Sequence, residues 1–181
     1  MATMMSSPRI ALTGINEGIE VHVKTTTKGA ESPLKIQEAI KYIFPDAKNL
    51  EIEEPIFGEK NNNTLEWEGV SMETFLKKIH EQRILDTALD MMVREIDGNS
   101  TTFEISRQSA SVGKISFPIP NEYPFGGVIE ISLSGDHLID WIQSATWHSG
   151  RERFPRFAGD DFEMYNDGES KVWHDSREVS R

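Results

Sequence analysis

Residues 71–96, SMETFLKKIHEQRILDTALDMMVREI, carry two apolar stripes at helical spacing. Phe75, Leu76 and Ile79 form the first; Ile84, Leu85, Ala88, Leu89, Met92, Val93 and Ile96 form the second. The step from 79 to 84 does not fit a period of about 3.6 residues. The pattern therefore predicts two helices, or one kinked helix, with the break near His80–Gln82. Ser71 suits the N-terminal cap, and DGNS (97–100) stops the run. On the polar side, Gln82, Asp86 and the Leu89–Asp90 pair share a stripe at spacings of three to four.

The flanking segments have a different period. IEVHVKTTT (19–27) alternates Ile19, Val21, Val23 and Thr25 with polar partners, the signature of a half-buried strand. ESPLKIQEAIKYIFPD (31–46) has Ser32 as cap, Pro33 in the first turn and an apolar face at Ile36, Ala39, Ile40, Ile43 and Phe44. Pro45 ends that helix. NLEIEEP (49–55) and NTLEWEGV (63–70) read as strands joined by the loop FGEKNNN (57–63). TTFEISRQSASVGKISF (101–117) reads as two strand-like runs with an irregular middle. GGVIEISLS (126–134) alternates cleanly, and GDHLIDWIQSAT (135–146) returns to helical spacing. Beyond Gly150 no period survives. The order predicts an α+β domain: a mainly antiparallel sheet covered by helices on one face. Its expected limits are residues 17–150, between a flexible N-terminus (1–16) and a disordered mixed-charge tail (151–181).

Chemistry is narrowed by what the 181 residues lack. There is no cysteine, which removes thiolate chemistry and disulfides. No run approaches the ~20 apolar residues of a membrane span, and the N-terminus lacks a signal-peptide pattern. A soluble cytoplasmic protein without membrane contact is the expectation. The five histidines show no metal-binding spacing, and His22 sits on the polar phase of its strand. SVGKIS (111–116) lacks both the leading glycine and the hydroxyl residue of a phosphate loop. Asp86 and Thr87 have no base beside them in sequence, so neither an enzyme nor a cofactor is expected.

The formal charge of −11 disfavours nucleic acid if taken as a whole. The charges are uneven, however. Glu51, Glu53, Glu54, Glu59, Glu66, Glu68 and Glu73 crowd one segment, while Lys77, Lys78, Arg83, Arg107 and Lys114 lie after it. Gln82, Arg107 and Gln108, with Gly113 and Lys114 in the following turn, make a plausible surface for close approach to a phosphate backbone. A solvated edge with a bulge at Ser109–Gly113 is the plainer reading of the same residues.

Three motifs carry a family resemblance over roughly residues 17–150. Gln82, Ile84, Leu85, Asp86, Thr87 and Ala88 match Gln-x-Ile-Leu-Asp-Thr-Ala-Arg. Arg107, Gln108, Ala110, Gly113, Lys114 and Phe117 match Lys-Gln-x-Ala-x-x-Gly-Lys-x-x-Phe. Asp140, Trp141 and Thr146 match Asp-Trp-Leu-Ala-Pro-x-Thr-x-x-Gly, with Gly150 one residue past the place of its glycine. The chain thereby resembles the archaeal uncharacterised protein family 0201, part of an RNA-binding-type superfamily with relatives among predicted exosome-associated proteins. The resemblance implies a fold like that of the ribosomal protein that binds five-S rRNA. It also implies an RNA-binding face at Gln82, Arg83, Thr87, Arg107, Gln108 and Lys114, with Asp86 and Gly113 ordering that surface. Leu89 and His80 stand where the family pattern has arginines, and Gln143–Ser144 replace its Ala-Pro. A homodimer, or an adaptor with a basic protein partner drawn to the glutamates of 51–73, is the alternative expectation.

Overall fold

Alternation along the sequence becomes alternation across a sheet. The computed structural model describes residues 12–56, 62–119 and 122–160. Its strands are β1 (Glu20–Thr26), β2 (Thr64–Glu68), β3 (Ser100–Ser106) and β4 (Val128–Ser134). They pair in the order β2–β1–β4–β3, every neighbour antiparallel. Val21, Val23, Leu65, Trp67, Phe103, Ile105, Ile129, Ile131 and Leu133 project from one face and are buried. The alternate residues, among them Glu20, His22, Lys24, Glu66, Glu68, Glu104 and Glu130, make the other face polar.

Helices α1 (Pro33–Ile43), α2 (Glu73–Gln82), α3 (Leu85–Val93) and α5 (Leu138–Ala145) pack on the apolar face, with a short α4 (Arg107–Ala110) following β3. Helix α1 starts as its sequence indicates, with Ser32 Oγ accepting the Lys35 amide at 3.3 Å and Pro33 in the first turn. The break between α2 and α3 falls at Arg83–Ile84, just after the predicted window. Arg83 takes a left-handed conformation (φ 58°, ψ 39°) that closes α2, and its N–H bonds to His80 O. That geometry costs a non-glycine residue about 1–2 kcal/mol, offset by burial of Ile79 and Leu85 on either side of it.

Two predicted strands are absent among the described residues. Residues 49–56 join no sheet. Leu50 and Ile52 still pack against the core, but the Leu50 amide donates to Gln37 Oε1 at 2.6 Å, where a ladder would need a neighbouring strand. Residues 114–119 are likewise irregular, because α4 interrupts the run and the single bond from Ser106 N–H to Ser116 O is not extended into a ladder among the described residues. The expected 57–63 loop lies mostly outside the described residues.

The packed chain extends beyond the limits expected for it. At the N-terminal side, Glu17 accepts from the Thr13 and Gly14 amides, and Thr13 O accepts from Met72 N–H. At the other side a 3-10 turn, Ser149–Glu152, buries Arg151. Residues 1–11 and 161–181 lie outside the described residues.

Phe75 sits at the centre of the core. It is fully buried, stacks on Phe44 at 6.4 Å and meets Phe103 at 5.8 Å and 54°. Phe75→Ala is expected to destabilise the domain by about 3–5 kcal/mol, measured as a lower urea midpoint with an unchanged slope.

Candidate functional site

The α2–α3 junction gathers residues from all three motifs. Gln82, at the end of α2, uses both ends of its amide on one residue. Its Nε2 donates to Ile115 O at 2.7 Å, and its Oε1 accepts from Ile115 N–H at 2.8 Å. The side chain thus replaces a missing strand partner. One turn earlier, Lys78 Nζ donates to Gly113 O at 2.7 Å. Gly113 has φ +70°, the left-handed region that favours glycine. The 113–115 segment is therefore fastened along α2. Gln82, expected at an RNA-binding face, has one amide donor and one acceptor committed to the 113–115 segment.

Arg107 departs further from expectation. It is 6% exposed. Its Nε donates to Gly126 O at 2.6 Å, Nη1 to Thr26 O at 2.9 Å and Thr25 Oγ1 at 3.2 Å, and Nη2 to Glu31 at 2.5 Å. A guanidinium so surrounded is not presented to a phosphate. Gly127 makes room for it: a Cβ there would lie 2.9 Å from Nη2, and its φ is +77°. Arginine after an alternating strand reads as surface in one dimension; its acceptors come from β1, the segment before α1 and the approach to β4.

The third motif closes on the first. Asp86 accepts from Arg151 Nε at 2.9 Å and lies 3.1 Å from His148 Nε2. Arg151 is buried, within 3.4 Å of Thr146 Oγ1 and Gln143 O, while Thr146 donates to Ile142 O. Arg156 pairs with Asp90 one turn along α3. Burial alone would push the Asp86 carboxyl up, but hydrogen bonds and positive charge from Arg151 and His148 outweigh it and hold it below its ordinary value. Glu17 is similar: burial raises it, and the Trp141 indole N–H with the Thr13 and Gly14 amides more than compensates. Asp86 therefore has an arginine partner, supplied from beyond residue 150. Sequence reasoning missed His148 and Arg151, whose partners lie more than sixty residues away.

What remains for a ligand is a different set. Arg83, Thr87, Gln108 and Lys114 are exposed. The Gln82–Ile115 and Lys78–Gly113 bonds bring Lys78, Arg83 and Lys114 to one seam, and Lys77 lies on the exposed side of α2 beside Glu81. Among the described residues no His/Cys/Asp/Glu group could hold a metal ion, and no helix is long and apolar enough to cross a membrane.

No family model matches the chain. A UPF0201 protein of Methanocaldococcus jannaschii is 36% identical over 121 residues, 66% of this chain and 66% of the relative. Another, from Sulfurisphaera tokodaii, is 29% identical over 133 residues, 70% of this chain and 88% of the relative. The 2.2 Å crystal structure of the UPF0201 protein from Methanococcus jannaschii aligns at 30% identity with a TM-score of 0.58, covering 71% of this chain and 99% of that one. The chain belongs to the UPF0201 family. A second UPF0201 crystal structure aligns at 29% identity with a TM-score of 0.52, over 65% of this chain and 84% of its own. The α+β architecture with an antiparallel sheet is thus that of UPF0201 proteins, and in this member the three motifs converge on the α2–α3 junction.

A depressed carboxylate stabilises the fold only while ionised. The Asp86 contribution is complete above the unfolded-state value of about 3.9 and is lost as pH falls through the lower folded-state value. Asp86 is partly solvated, so its screened worth is about 1 kcal/mol. Asp86→Asn is expected to melt below the parent at pH 7, the gap closing as the pH is taken below about 4 in a series of thermal denaturations.

Proposed function

We propose that this chain is a non-enzymatic RNA-binding domain that contacts structured RNA by shape and phosphate. The observation that carries this reading is the cationic seam of Lys78, Arg83 and Lys114, with Lys77 nearby, on a chain of net charge −11. In an acidic protein, cations held together by backbone clamps make a local positive field that random placement would disperse. Thr87 and Gln108 add hydrogen-bonding groups, while Arg107, Gln82, Asp86 and Gly113 act by fixing the surface. The motif resemblance supports the same reading, including its suggested kinship with the ribosomal protein that binds five-S rRNA and with exosome-associated proteins, and a cytoplasmic place of action. A hydrolytic role for Asp86 is disfavoured by its chemistry, since a carboxylate stabilised as an anion by Arg151 is a weak base.

One observation favours a protein partner. Glu104 and Glu130 stand directly opposite in the β3–β4 register on the polar sheet face. Burial first, then Glu130 and Glu95, raise the Glu104 carboxyl. Lys24 lies 3.5 Å from Glu130 and offsets only part of this charge. A basic protein, or a second copy presenting cations, would relieve the repulsion.

Fluorescence anisotropy with a labelled hairpin RNA across a salt series tests the leading reading. Arg83→Ala and Lys114→Ala should each lower the slope of log K against log salt by about 1; no binding at low salt, or an unchanged slope in the double variant, overturns it. The second reading begins with Glu104→Gln. A raised carboxyl destabilises the fold at neutral pH and ceases to do so as it protonates. The variant should therefore melt above the parent at pH 7 and level with it in acid.

A further inference from the structure

Residues 122–127 place two aromatic rings in solvent. Phe125 is 88% exposed and Tyr123 68%. The Tyr123 ring is not loose: Lys28 Nζ donates to its hydroxyl at 2.8 Å and lies 4.2 Å from the ring centroid. Phe125 borders a shallow, open slot of ≈ 270 Å³ between α1 and α4. Ile36 and Ala39 of α1 give the slot an apolar floor, and Lys35, Gln108 and Ser111 stand at its rim. The Gln108 amide and the Lys35 ammonium make no side-chain bond among the described residues. The Arg107 guanidinium lies against the slot, neutralised by Glu31 and immobile in its cage. An apolar cleft, an exposed ring, an uncommitted amide and a nearby cation form one constellation.

We infer that this slot receives a single unpaired nucleobase, stacked against Phe125 with its polar edge toward Gln108 and its phosphate toward Lys35. The inference rests on the RNA-binding reading and deepens it. The slot is shallow, and its ≈ 270 Å³ would take one ring system lying against Phe125 with its other face in solvent. Stacking needs a π-face open to solvent before binding, which Phe125 provides. An amide with both donor and acceptor ends matches the mixed donor–acceptor edge of any base. Position completes the argument. Lys114 N–H bonds to Ser109 O at 3.0 Å, folding the chain after α4 back beside Gln108. Lys114 of the seam and Gln108 of the slot therefore belong to one turn of chain.

The test uses the full chain and three labelled RNAs: a hairpin with an unpaired loop, a blunt duplex and an unstructured single strand. Phe125 is exposed, so Phe125→Ala leaves the core intact. Phe125→Ala is expected to weaken binding of the looped hairpin and the single strand about 10-fold, with the duplex unaffected. The salt slope should not change, because no charge is removed. Gln108→Ala should weaken the same two probes. Millimolar AMP or UMP should displace the hairpin better than equal inorganic phosphate. The inference is overturned if Phe125→Ala binds the looped hairpin like the parent while Arg83→Ala with Lys114→Ala weakens it; the RNA-binding reading then stands. Displacement by phosphate as effective as by AMP also overturns it. A mononucleotide that binds more tightly than any RNA assigns the slot to free nucleotides instead. If no RNA binds at low salt, the underlying reading falls and takes the inference with it.

Discussion

The burial of the Arg107 guanidinium constrains the whole end of the domain where β1, β3 and β4 meet α1 and α4. A charge removed from water has to be surrounded by acceptors, and here they come from three separated parts of the chain: Thr25 and Thr26 at the end of β1, Glu31 before α1, and Gly126 before β4. Such an ion pair adds little net stability over an apolar replacement, but removing one partner is costly. Its effect is better described as positional. It fixes where β3 ends, turns the chain into α4 and holds the 126–127 backbone close enough that residue 127 has to lack a side chain.

Because α4 is only four residues long, its placement determines what its neighbours face. Gln108 and Ser111 look toward α1 and Phe125, while the chain returns through Gly113 to put Lys114 beside Ser109. Lys78 and Gln82 then fasten that return to α2. A buried residue thus organises exposed ones. The commitment of Arg107 and Gln82 to internal bonds is what gives Lys114 and Gln108 a fixed setting.

The fold was legible wherever burial imposes a period. Val21 and Val23, or Ile129 and Ile131, alternate because one sheet face is dry, and the misfit between Ile79 and Ile84 located the α2–α3 break to within a residue or two. It was less legible where a side chain replaces a backbone partner. Leu50 and Ile52 alternate with glutamates like a strand, yet Gln37 takes the bond a neighbouring strand would have made. The same limit hid part of the site. Nothing near Arg107 marks it as internal, and RERFPRF (151–157) reads as an unperiodic tail because the partners that hold it, Asp86 and Asp90, lie on α3. Periodicity reports the environment of an element, whereas an ion pair across more than sixty residues leaves no trace in either local pattern.

Leu89 shows how the sequence and the structure have to be read together. In the motif pattern this position is an arginine, and its replacement by leucine looks like the loss of a surface cation. In this fold residue 89 is fully buried and belongs to the core cluster. Leucine there contributes apolar burial of about 1.5–3 kcal/mol, and removes no charge from the exposed seam. Asp86, one turn away, still needs a positive partner, and Arg151 supplies it from the segment after α5, its guanidinium steadied by Thr146. Arg156 does the same for Asp90. Two carboxylates on α3 thus hold the segment after α5 against the domain, and the packed chain runs past the end of the shared motifs.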